Sequence, residues 1–61
     1  MTRDVIRNLA ERYKLPEEFV ERYIADSRRS GGASRALNKE LMSLLPNAIY
    51  AQKFAEEVDD V

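Results

Sequence analysis

Three breaks cut this chain into four stretches, and each stretch carries apolar residues at helical spacing. The breaks are Lys14-Leu15-Pro16, Ser30-Gly31-Gly32 and Leu45-Pro46-Asn47. A residue before proline is pushed out of the helical region, and glycine supplies the left-handed conformation that commonly ends a helix. Between the breaks run four stripes: Val5, Ile6, Leu9, Ala10, Tyr13; then Leu15, Phe19, Val20, Tyr23, Ile24; then Ala33, Ala36, Leu37, Leu41, Leu44, Leu45; and last Tyr50, Ala51, Phe54, Ala55, Val58. Each repeats close to every 3.6 residues, the period of an amphipathic helix. The expected fold is all-α, a compact bundle of three to four short helices at about 3–13, 16–29, 34–45 and 47–58. Residues 1–61 form a single small helical domain in this reading, with 59–61 as a frayed tail.

Local chemistry refines these elements. Thr2 and Ser34 have N-cap side chains, and Asn47 as cap or Pro46 at the first helical position can open the last helix. Pro16 suits the first position of the central stretch, the clearest helix of the four. Glu17 and Glu18 lie in its first turn and Arg28 and Arg29 in its last, each sign favoured by the helix dipole. Glu18 with Arg22 and Arg7 with Glu11 are spaced for i,i+4 ion pairs. The acids from Glu56 to Asp60 oppose the dipole of the last helix, which is why that end is expected to fray. Met42 widens the third stripe and reads either as a core gap-filler or as an interface residue.

With 61 residues the chain sits near the lower limit for folding alone. It has no Cys and no His, so disulfides are excluded and a structural zinc site is not expected. Tight packing or association must then supply the stability. The 44% apolar and 34% charged residues fit a globular chain rather than a disordered one. No run approaches a membrane span of about 18 apolar residues and no signal-peptide core is present, so the expected location is the cytoplasm. The initial Met reads as a natural start. Lacking His and Cys, and with no motif of mechanical meaning, the chain is expected to be neither an enzyme nor a binder of cofactor, metal or small-molecule substrate.

Two kinds of partner remain. The net charge of −1 hides segregation: Arg22 to Glu40 holds five bases against two acids, and the last six residues hold four acids and no base. The segment Gly32 to Leu41 resembles the turn and recognition helix of bacterial helix-turn-helix regulators. That likeness would make Arg28, Arg29, Ser34, Arg35, Asn38 and Lys39 nucleic-acid contacts. Arg28 stands where such a motif packs a small residue, and Asn38 where it buries an aliphatic one. An earlier window, Leu9 to Ile24, has Ala10, Leu15 and Val20 at helix-turn-helix spacing but would turn Glu17, Glu18 and Glu21 towards phosphates. The competing account makes the basic segment a solvated face.

The leading expectation is a non-enzymatic regulatory or adaptor protein working through protein–protein contact, with a second copy of itself among the partners considered. Met42, Tyr50 and Phe54 are its expected interface, being of the residue types enriched at interface centres. A DNA- or RNA-binding protein using the Arg28–Lys39 segment is the alternative.

Overall fold

The computed structural model describes residues 3–60, and these form four α-helices. They are α1 (Arg3–Tyr13), α2 (Glu17–Ser30), α3 (Arg35–Leu44) and α4 (Ala48–Asp59). The expected fold class is therefore observed, with four helices rather than three. Thr2, expected as the first cap, and Val61 lie outside the described residues.

The helix ends follow from their local residues. Lys14 takes a left-handed φ of 55°, and the Leu15 N–H returns to the Ala10 carbonyl at 2.9 Å, closing α1. Pro16 is the N-cap of α2 rather than its first helical residue: its ψ of 138° is extended, and its carbonyl accepts the first helical bond, from Val20. Gly31, at φ 75°, ends α2. Ser34 caps α3 as expected, its hydroxyl accepting from Leu37 N–H. At α4 the cap is Asn47, whose side chain accepts from Ile49 and Tyr50 N–H. The acidic end expected to fray is helical through Asp59. There the Ser27 hydroxyl donates to the Asp59 carboxylate, and Asp60 N–H bonds back to the Glu57 carbonyl.

The core lies where α2 meets α1 and α4, while α3 packs chiefly on α4. Ile6, Leu9 and Ala10 enter from α1, Phe19, Val20, Tyr23 and Ile24 from α2, and Ala51, Phe54 and Val58 from α4. Phe54 is the keystone. It has 0% exposure, and Tyr13 and Tyr23 meet its ring edge-on with centroids at 5.5 and 5.1 Å. Such pairs add about 0.5–1.5 kcal/mol beyond the area they bury. Phe54 was expected at an interface; it belongs to the core instead.

The third and fourth stripes bury less than their sequence implies. Leu41 alone of α3 is fully buried; Ala33, Leu37 and Leu45 pack partly, and Ala36 and Leu44 face outward. A 3.6 period places 33, 37, 41 and 45 on one line, with 36 and 44 to one side. Tyr50 is likewise turned out of the α4 stripe, because Ala51, Phe54 and Val58 define its inward line. Arg22 pairs with Glu40 on α3 at 3.3 Å, not with Glu18, and Arg12 takes Asn8 and Glu57, while Arg7 and Glu11 form no ion pair among the described residues.

Candidate protein-docking groove

Where α1 and α3 end beside α4, they leave an open groove of about 830 Å³. Each wall has a local cause. The left-handed turn at Lys14 stops α1, and Pro46 prevents α3 from running on. Tyr13, Leu44, Leu45 and Tyr50 supply the apolar lining. Leu44 and Tyr50 are 41% and 51% exposed, so two large side chains are held against water in one depression.

The charged lining divides into paired and unpaired groups. Arg12 reaches both Glu57 oxygens at 2.6 Å, the Tyr13 phenol donates to the same carboxylate, and the Arg12 guanidinium lies 5.4 Å from the centre of the Tyr13 ring. The phenol and then the guanidinium hold the Glu57 carboxyl below its ordinary value. Burial, followed by the bond to Glu57, pushes the Tyr13 phenol up, and the bond to Glu57 raises Arg12. This triad ties α1 to α4 and has little capacity left for a ligand. Glu56 accepts from Gln52 at 3.3 Å. Lys14 and Lys53 also line the groove, and neither forms an ion pair among the described residues.

Of the interface residues expected from sequence, only Tyr50 lines this groove. Met42 is 44% exposed but does not line it, and Phe54 lies beneath it in the core. Sequence reasoning missed Leu44, assigned to the core, and passed over Lys14 and Lys53. One signal pointed to Lys14: it ends a helix at a position where glycine is the usual occupant.

The six residues proposed for nucleic acid do not share one purpose. Ser34 is spent on its cap, and its N–H donates to the Asp26 carboxylate at 2.6 Å. That bond is the main cause that lowers the Asp26 carboxyl, with Arg29 adding to it at 3.4 Å. An acid thus occupies the N-terminus of α3, where a phosphate would otherwise be favoured. The Asn38 side chain accepts from the Tyr23 hydroxyl at 2.7 Å and donates to the Ala33 carbonyl, so this exposed residue spends its amide on tying α3 to α2. Arg28, Arg35 and Lys39 remain exposed and form no ion pair among the described residues. Arg28 flanks a shallower depression of about 440 Å³ over Ile6, Ile24 and Ala25.

Among the described residues no cluster of carboxylates is arranged to hold a metal ion, and no helix is long and apolar enough to cross a membrane. No protein-family model, curated protein or solved structure matches the chain.

Proposed function

We propose that this chain is a small non-enzymatic regulatory or adaptor protein that docks a protein segment in the groove between α1, α3 and α4. The supporting observation is the exposure of Leu44 and Tyr50 in one groove whose lining also carries Lys14 and Lys53, neither in an ion pair among the described residues. Aromatic and aliphatic anchors seated in a pocket, with a charged rim, are the usual make-up of an interface centre. A photo-crosslinking amino acid at Tyr50, compared with one at Arg7 on the exposed side of α1, tests this in cells. The proposal predicts discrete protein adducts from position 50 that Leu44→Ser removes. Equal adducts from both positions, or none from position 50, would count against it.

A second reading is nucleic-acid binding through Arg28, Arg35 and Lys39, supported by their exposure and by their forming no ion pair among the described residues. Duplex DNA titrated at about 50 and 200 mM salt tests it, because phosphate contacts weaken steeply over that range. Salt-sensitive binding that Arg35→Ala with Lys39→Ala abolishes would support this reading. Binding that the double variant leaves unchanged, or no binding at either salt, would remove it.

A further inference from the structure

We infer that the groove, with the α3–α4 corner beside it, binds a second copy of this chain in a weak two-fold dimer. This rests on the docking reading and names the occupant. Among the described residues the exposed large apolar side chains are Met42, Leu44, Ile49 and Tyr50, and all four lie at the end of α3 or the start of α4. The same stretch is free of charge. From Leu41 to Gln52 there is no Asp, Glu, Lys or Arg, although 34% of the chain is charged. Loss of charge around aromatic and aliphatic anchors marks the centre of an interface. A chain of 61 residues also buries too little by itself to be more than marginally stable, and a second copy covering this corner would add to what it buries.

Shape and charge both favour the chain's own copy. A two-fold contact sets one patch against itself, so the patch must carry both halves of the fit. This one does. Ile49, 67% exposed, stands next to Tyr50, which lines the groove, so a knob and a depression are neighbours on one surface. Each copy's Ile49 then enters the other's groove, and the contact is made twice. The charges of the lining are balanced as well. Lys14 and Lys53 stand against Glu56 and Asp60, while Arg12 and Glu57 neutralise each other. A patch with equal numbers of both signs meets its own copy without net repulsion. A nucleic acid or an anionic membrane would instead bring phosphates against two carboxylates. The apolar anchors are 41–67% exposed, already partly covered within their own chain, so the dimer forms only at high concentration.

Sedimentation equilibrium of the purified full chain, run from about 5 to about 500 µM, tests this. The chain should be a monomer at the low end and a dimer at the high end. Ile49→Gln with Leu44→Ser should weaken the dimer by at least about tenfold, because both side chains are removed from each half of the contact. Arg7→Gln, on the exposed side of α1, should leave it unchanged. The concentration series of the unaltered chain decides by itself should the double variant fail to fold. A monomer throughout, a dimer that the double variant leaves intact, or open-ended growth beyond the dimer would overturn the inference. A monomer throughout whose crosslinker at position 50 still gives adducts with other proteins would overturn the second copy while leaving the docking reading standing. A monomer that gives no such adducts would remove both.

Discussion

Lys14 and Leu15 divide a single turn between core and groove. Leu15 is 6% exposed and closes α1 through its N–H, while Lys14, one residue earlier, accepts φ 55° and lines the groove. A left-handed backbone costs an L-residue roughly 1–2 kcal/mol, and glycine escapes that while losing about 0.5–1 kcal/mol of chain entropy. Lys14→Gly should therefore stabilise the fold by about 0.5–1 kcal/mol. Urea unfolding at unchanged slope measures it, and a lowered midpoint would contradict the account of this turn.

Phe54 and Tyr50 lie four residues apart on α4 and should respond in opposite ways. Phe54→Ala removes the ring that Tyr13 and Tyr23 enclose and should cost about 3–5 kcal/mol, most of the stability available to a chain this small. Tyr50→Ala should stay within about 0.5 kcal/mol, since half of that side chain is already in water. Thermal melts of the two variants decide between these roles. A large loss at Tyr50 would place it in the core.

The caps of α3 and α4 offer a third check. Ser34→Ala and Asn47→Ala each remove a side-chain acceptor for helix N–H groups and should each cost about 1 kcal/mol. The sites belong to different helices and share no partner, so the double variant should be additive. Marked non-additivity would mean that the two caps are coupled through the turn between these helices.

Much of this architecture was legible in the residues. Pro16, Gly31 and Asn47 mark helix boundaries because their backbone or side-chain chemistry acts locally, and the four stripes carry the 3.6 period that packing requires. The errors arose where tertiary geometry chose among apolar residues of one stripe. Phe54 and Tyr50 both fall in the α4 stripe by sequence, yet only the line shared with Ala51 and Val58 turns inward. Leu44 looks like core until α3 is seen to bury little more than its 37–41–45 line. Asn38 and Ser34 read as donors for phosphate because nothing in the sequence reveals that Tyr23 and Asp26, fifteen and eight residues earlier respectively, already engage them. The groove joins three helices, so no single stretch could announce it.

Acid should weaken the fold through two carboxylates. Asp26 and Glu57 both titrate below their ordinary values in the folded state, Asp26 chiefly through the Ser34 N–H and Glu57 chiefly through the Tyr13 phenol. A depressed folded value means that each contributes stability above the ordinary carboxylate range, near pH 4, and loses it as pH falls through the folded value. The melting temperature should therefore drop from about pH 5 downward, and Asp26→Asn with Glu57→Gln should flatten that slope. At the alkaline edge the signs reverse. Burial raises Tyr13 and Tyr23, so stability held below about pH 10 is lost as pH climbs through their folded values. An acid slope unchanged in the double variant would contradict these assignments.

The most direct measurement of the docking claim is amide chemical-shift mapping of the full chain, titrated with a stapled amphipathic helical peptide that carries leucines at i, i+4 and i+7. The account predicts that perturbations concentrate at Lys14, Leu44, Leu45, Tyr50 and Lys53, the residues that line the groove from three different helices or their ends. Shifts centred instead on Ile6, Ala25 and Arg28, across the other depression, or no shifts at saturating peptide, would contradict it.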